Sequence, residues 1–287
     1  MKEKNKDGLT EKEFLNTYTP EDYERPSNTA DMLLFTVADE ANKNKRIDAR
    51  KELKILLVKR KDHPFIHKWA LPGGFINIDE SIKDAAIREL MEETGLTNIY
   101  MEQLYTYGEV KRDPRMRVIT IAHMALIPMD RVHPIAGDDA EDIAWFSVKK
   151  GQDVIKIENE DLGLFFSYHI ETKYTKNGIV SMPENVIVQL SENGLAFDHI
   201  YMINDGLNRL KNKVMYTPVI FNLLPDQFTL SAAQSIYEVI LEKSLTKPNF
   251  RKWISKYVSE TSCVQSAVGH RPAKLYKYND KKWRKNL

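Results

Sequence analysis

Residues 73–96 read GGFINIDESIKDAAIRELMEETGL, and this stretch decides how the rest of the chain is read. From Gly74, Glu80 follows after five residues and Arg88-Glu89 after seven more; Leu90, Glu92-Glu93 and Gly95-Leu96 complete the pattern. Asp79 or Ser81 can cap a helix start, and Gly95 suits the left-handed position just past a helix end. Between them Ile82, Ala85, Ala86 and Leu90 recur at helical spacing, which predicts one buried side. Glu89, Glu92 and Glu93 stand at i, i+3 and i+4 and so share a face, with Arg88 beside them and able to pair with Glu92. Three carboxylates converging there would repel one another unless a cation sat among them, and hard oxygen ligands suit Mg²⁺ or Mn²⁺. Most charge runs of this kind are solvated helix faces. Gly74, Glu80, Arg88 and Gly95, all in register, argue for a metal site instead.

Composition bounds the remainder. At 287 residues, two domains are expected, and 42% hydrophobic with 29% charged residues is ordinary for a globular chain. One cysteine, Cys263, excludes an internal disulfide framework and fits a reducing compartment. The first residues are polar and no apolar run approaches the length of a membrane span, so the expectation is a cytoplasmic protein with no membrane partner. The near-neutral total hides a division. Residues 214–287 carry 12 Lys and Arg against 5 Asp and Glu, a net +7, which leaves 30 against 36, or −6, for residues 1–213.

In chain order, residues 1–28 form an extension, with Phe14, Leu15 and Tyr18 available to pack back on the body. Met32–Val37 and Leu53–Val58 are apolar, β-leaning runs joined by a polar stretch, the pattern of a hairpin with a long connection. Gly73 and Gly74 let backbone approach a ligand or metal at the helix entrance. Lys111, Arg112, Arg115 and Arg117 place four cations in seven residues before the apolar run Val118–Ile127; they suit the phosphates or carboxylate of a charged substrate, or form an exposed basic turn. An acidic loop, Asp138, Asp139, Glu141 and Asp142, precedes Trp145-Phe146. Residues 150–195 are β-leaning without an assignable chemical role, and Phe197-Asp198-His199 opens a helix through Lys211. His199 reads as a capping or core histidine.

The pattern resets near Val214. Ser231-Ala232-Ala233-Gln234 is a capping-box candidate, and Ile236, Tyr237, Ile240 and Leu241 continue an amphipathic helix. A turn over Glu242–Thr246 leads to Lys247-Pro248 and a second helix. Phe250, Ile254, Tyr257 and Val258 fall on one side of it. Asn249, Arg251, Lys252 and Lys256 fall mostly on the other. This is the pattern of a helix-turn-helix, with Arg271 and Lys274 in a following cationic hairpin placed as a wing would be. The other reading is a small three-helix dimerisation module.

The 73–96 pattern is that of the Nudix hydrolase signature, G-x5-E-x7-R-E-U-x-E-E-x-G-U with U aliphatic, and the chain is identified by it as a member of that superfamily. The Arg112-Asp113-Pro114-Arg115 turn resembles that of ADP-ribose pyrophosphatases and their regulator relatives. The stretches N-F-R-K-W (249–253) and G-H-R-P-A-K-L-Y (269–276), downstream of the signature, resemble the winged helix of Nudix-related transcriptional regulators, which control NAD or sugar metabolism in bacteria. The resemblance spans roughly residues 20–280. It implies an α+β chain in which an extension (1–28) precedes a Nudix α/β/α sandwich with a mixed sheet (29–213) and a small winged helix-turn-helix domain (214–287). It further implies Glu89, Glu92, Glu93 and a carbonyl within Leu71–Gly74, taken as Gly73, as metal ligands. Glu89, Glu93 and Arg88 would form the catalytic set, with Glu141, or else Asp139 or Asp142, aligning water.

On that basis the expected activity is metal-dependent hydrolysis of a nucleoside diphosphate derivative, ADP-ribose favoured, giving AMP and ribose 5-phosphate. The competing expectation is a regulator whose Nudix domain senses ADP-ribose or a sugar phosphate without turnover. Many such regulators have lost signature carboxylates, whereas here all are present. Double-stranded DNA is the expected macromolecular partner, and a homodimer fits a palindromic operator.

Overall fold

The computed structural model describes residues 3–40, 51–131, 140–265 and 272–285. After a short helix α1 (Glu11–Thr17), the chain enters β1 (Ser27–Asp39), β2 (Lys51–Arg60), β3 (Trp69–Ala70) and β4 (Gly73–Phe75). Helix α2 (Ile82–Thr94) is followed by β5 (Tyr100–Tyr107), β6 (Val118–Leu126), β7 (Ala140–Lys150), β8 (Val154–Asn159), β9 (Leu164–Asn177) and β10 (Val180–Gln189). These ten strands form one mixed sheet in the order β10-β9-β8-β7-β2-β1-β6-β5, with β3 paired to β2 and β4 to β1. Only β1 and β6 run parallel among the paired strands described. The hairpin expected from Met32–Val37 and Leu53–Val58 is present, in the register Phe35 opposite Ile55.

The apolar run in β1 is continuous because both of its faces are covered, as period-2 geometry requires of a strand buried on two sides. Met32 and Leu34 pack with Ala85, Ala86 and Leu90 of α2. Leu33 and Phe35 point the other way, into a larger core shared with helix α3 (His199–Lys213). Ile82, expected on the buried side of α2, is 45% exposed. It is the first residue of the helix.

The second core does not stop at residue 213. It runs through Leu210, Val214, Val219, Ile220 and Leu223 into helices α4 (Leu230–Leu241) and α5 (Lys247–Ile254), taking in Ile236, Tyr237, Ile240, Phe250 and Ile254. Strands β11 (Val258–Gln265) and β12 (Ala273–Tyr278) pair antiparallel, and a short α6 (Asp280–Arg284) follows. The helix-turn-helix and hairpin are therefore present as expected, on the sheet face opposite α2. The architecture is α+β, an α/β/α sandwich followed by a winged helix.

Three local expectations are resolved, two of them by correction. Thr229, not Ser231, caps α4, its hydroxyl accepting from Ala232 N at 3.1 Å. Residues 150–195 extend the sheet, and Ile155, Ile157, Phe166, Tyr168 and Ile170 from them enter the core. Helix α1 does not pack back on the body: Phe14, Leu15 and Tyr18 are exposed, and α1 is held locally by a capping box between Thr10 and Glu13. Among the described residues no helix is long and apolar enough to cross a membrane.

Helix α3 sits close to the sheet at Gly206, where an added Cβ would come within 2.5 Å of Leu33 Cδ2 and 3.3 Å of Phe35. Gly206→Val is expected to destabilise the chain by about 1–3 kcal/mol through overpacking, read as a lowered urea midpoint with an unchanged m-value.

Candidate active site

Helix α2 is delimited as the sequence implies. Ser81 Oγ accepts from Asp84 N at 3.1 Å, and Gly95 takes φ +68° with its N–H bonded to Met91 O at 2.7 Å. The glycines before it are needed for space. A Cβ on Gly73 would stand 2.4 Å from Ala30 O, and one on Gly74 would stand 2.4 Å from Glu89 Oε1. Backbone at Gly74 thus lies directly against the Glu89 carboxylate.

Arg88 is the clamp of this corner. It donates to Glu80 through Nε (3.1 Å) and Nη2 (2.9 Å), to Glu89 Oε1 (2.7 Å), to Phe75 O (3.1 Å) and more weakly to Glu92 (3.3 Å). Expected in the catalytic set, it ties the loop between β4 and α2 to the helix face. Glu89 and Glu93 are buried while Glu92 is largely solvent-exposed. Glu93 Oε2 is buried without a hydrogen-bond partner. Burial, reinforced by Glu89 and Glu92, pushes the Glu93 carboxyl up to about 7, and burial also raises Glu89 against the pull of Arg88.

These residues fit a hard divalent cation in part. An orphaned, charge-crowded carboxylate beside a second one and against glycine backbone is what a bound cation would relieve. The expected three-carboxylate cluster is not assembled, however. Glu92 faces solvent, and no group of three His, Cys, Asp or Glu side chains stands ready to hold a metal among the described residues. Any ion here would take Glu89, Glu93 and backbone oxygen near Gly73, with the rest of its shell from water or ligand.

Glu93, Gly73, Gly74 and Phe75 open onto a cleft of about 610 Å³, which Asp31, Arg60, Arg112, Asp113, Arg115, Phe197 and His199 also line. Its floor is a buried polar cluster. Arg112 is bidentate to Asp198 (3.0 and 2.8 Å) and lies 3.6 Å from Asp31. His199 Nδ1 accepts from Leu71 N at 2.8 Å, and its Nε2 stands 4.0 Å from Asp31. Burial raises the Asp31 carboxyl, with Arg112 pulling the other way. Burial lowers His199 to about 3, so the ring is neutral.

The cations expected to meet substrate are placed differently from one another. Arg112 has a side chain only 4% exposed and serves to seat the start of α3. Arg115 pairs with Asp113 (2.8 Å) and lies over the Phe75 ring at 5.5 Å. Arg117 does not line the cleft; it passes beside Gly108. Glu141 lies within β7 rather than in a loop, bonded to Lys59 (2.9 Å) and His67 (2.6 Å), which hold its carboxyl below the usual range. Strand alternation gives its neighbour Ala140 to the cleft instead. Asp142 is likewise outside the lining, and Asp139 lies outside the described residues. The sequence reading missed Arg60, Phe197 and Asp31. Each sits in or beside an apolar stretch that reads as strand or helix entrance.

In the winged helix, Asn249, Arg251 and Lys252 are exposed on α5, opposite Phe250 and Ile254. The helix ends at Ile254, so Lys256 falls in the next turn, its ammonium over Tyr257 (4.9 Å) and Trp253 (5.7 Å). Lys274 pairs with Glu260 across the hairpin at 2.5 Å, and Arg271 lies outside the described residues.

A model of the NUDIX domain matches residues 14–164, and a model of the NrtR DNA-binding winged helix domain matches residues 220–278. The chain belongs to the Nudix family, in the group that joins a Nudix domain to an NrtR-type winged helix. It is 31% identical over 272 residues to the ADPR responsive transcriptional repressor NtrR of Acinetobacter baylyi, covering 94% of this chain and 88% of that protein. The crystal structure of a MutT/nudix family protein from Enterococcus faecalis superposes with a TM-score of 0.71 at 32% identity, over 94% of each chain. The crystal structure of Shewanella oneidensis NrtR complexed with a 27mer DNA gives 0.61 at 28% identity, over 89% of this chain and 95% of that one.

The neutral buried His199 makes stability pH-dependent. Its folded pKa, about 3, is below the unfolded value of about 6.5, so the unfolded chain binds the proton first and stability falls as pH drops below that value. By pH 5 this removes about 2 kcal/mol, at roughly 1.4 kcal/mol per pH unit. His199→Gln keeps an acceptor for Leu71 N and is expected to show a correspondingly shallower acid slope in urea unfolding.

Proposed function

We propose that the protein is an ADP-ribose-responsive DNA-binding regulator, with the Nudix cleft taking the nucleoside diphosphate and the winged helix taking double-stranded DNA. The observation that carries this is the continuity of the two parts. Helix α3 begins at the cleft, with Asp198 bound to Arg112 and His199 lining the floor, and ends inside the core it shares with α4. The whole-length likeness to an ADPR responsive repressor supports it. So does the likeness to a relative crystallised on DNA. Exposed Arg251 and Lys252 on a helix in a segment of net +7 suit phosphate contacts, and Asn249 suits a base edge.

A second reading, hydrolysis in the same cleft, is favoured by the intact signature and by Glu93. Mg²⁺ or Mn²⁺ held by Glu89, Glu93 and backbone near Gly73 would neutralise the diphosphate and activate water. For its part the chain supplies the two carboxylates and the Arg88 clamp that fixes the loop beside them. Glu141, engaged by Lys59 and His67, is not placed to align water from this cleft. Products from ADP-ribose would be AMP and ribose 5-phosphate. A homodimer and a cytoplasmic location fit the DNA-binding role.

Two measurements separate these readings. Double-stranded DNA selected from a random pool by the full chain should show a changed affinity when ADP-ribose is added, and no change would sink the regulator reading. AMP release with Mg²⁺ or Mn²⁺ at rates upwards of roughly 1 s⁻¹, lost in Glu93→Gln while DNA binding survives, would establish turnover. Arg251→Ala with Lys252→Ala is expected to weaken DNA binding and lower the slope of log affinity against log salt by about 2.

A further inference from the structure

A second cavity, of about 410 Å³, lies in the crotch of the helix-turn-helix and shares no lining residue with the Nudix cleft. Its size is within the range of small-molecule sites. Three rings form the wall: Tyr237 meets Phe250 edge to face at 5.6 Å and Trp253 at 4.8 Å. Leu241 and Met215 extend the apolar lining, Met215 coming from the turn that follows α3. Tyr237 is buried, and among the described residues its hydroxyl has no hydrogen-bond partner, so the wall holds an unused donor.

The turn between α4 and α5 is fixed before any ligand arrives. Glu238 Oε1 accepts from Leu245 N at 2.7 Å and from Gln234 Nε2 at 3.0 Å, and Gln234 Nε2 also donates to Leu245 O at 2.8 Å. The Glu238 carboxylate is thereby committed, and it stays out of the lining, which contains no acidic residue. The mouth, by contrast, is cationic. Among the described residues Lys243 has no ion pair. Thr246 is the N-cap of α5, yet its side chain makes no capping bond, and the first turn of the helix has no acidic residue. Pro248 brings no N–H, so the N–H groups of Lys247 and Asn249 are left for an outside acceptor at the positive end of the helix. Ser244 and Asn249 add a hydroxyl and an amide at the same rim.

An anion at this rim gains charge-assisted hydrogen bonds, whereas a cation would meet Lys243 and the helix end with repulsion. The three rings suit a flat aromatic body. We propose that this cavity binds a small aromatic carboxylic acid, with its ring among Tyr237, Phe250 and Trp253 and its carboxylate at Lys243 and the start of α5. The site stands apart from the Nudix cleft and does not depend on which ligand the cleft takes. Its occupant touches both the helix-turn-helix and the turn after α3.

The test titrates the full chain, by calorimetry, with α-naphthylacetate, with its neutral amide α-naphthylacetamide and with acetate, and repeats this on Lys243→Gln and Met215→Trp. Circular dichroism and the urea midpoint verify folding of each variant. The expected result is one-site binding of the naphthyl acid, about tenfold tighter than the amide, with no binding of acetate. In Lys243→Gln the acid loses most of that advantage while the amide is unchanged. In Met215→Trp, which places an indole at the cavity, both weaken. Failure of the unaltered chain to bind the acid at millimolar concentration overturns the proposal. Equal affinity for acid and amide overturns it too, since the charge then plays no part. So does an affinity for the acid that is unaltered in Lys243→Gln, which puts the ligand elsewhere.

Discussion

Strand β1 is the member on which the other parts depend, because it is covered on both faces and lies inside the sheet, between β2 and β6. Met32 and Leu34 fix α2 above it, and Leu33 and Phe35 fix α3 below. Both packed elements carry the chemistry: α2 brings Glu89 and Glu93, and α3 brings Asp198 and His199. The same strand supplies Asp31 to the cleft and Ala30 O to the close approach of Gly73. A one-residue slip in its register would exchange the two faces and dismantle the site as well as the core.

Charge in the cleft is largely committed. Arg88 holds Glu80 and Glu89, Arg112 holds Asp198, and Arg115 holds Asp113. Arg112, buried with a bidentate partner, is costly to disturb, since removing Asp198 would leave its charge uncompensated. Such pairs act as fasteners between elements. Glu93 differs, being buried with an oxygen that nothing satisfies, and it is the natural point at which an incoming cation would lower the energy of the site.

The signature was legible because its chemistry is local. Capping by Ser81, the left-handed Gly95 and the shared face of Glu89 and Glu93 all follow from helical spacing within one segment. The sheet's extension over residues 150–195 was not, since β-leaning strands declare no partners until their register is known. The cations of the 111–117 turn were legible as a cluster but not as individuals. Whether Arg112 meets a ligand or Asp198 depends on a residue 86 positions away. Glu141 failed for the same kind of reason: its neighbours Lys59 and His67 come from distant sequence, and strand alternation then directs it away from the cleft. Arg60 and Phe197 were invisible because a stack between residues of different elements leaves no periodic trace.

The core that passes unbroken from the sheet into α4 and α5 has a consequence for how the molecule can move. Leu210, Val214 and Ile220 are buried, so the junction between the two parts is a packed shaft with no slack tether. A displacement of α3 at its first turn must either be absorbed by repacking those side chains or be delivered at the far end as a rigid tilt. Helix α5 is thus geared to the body, and its orientation is a property of the whole chain's packing.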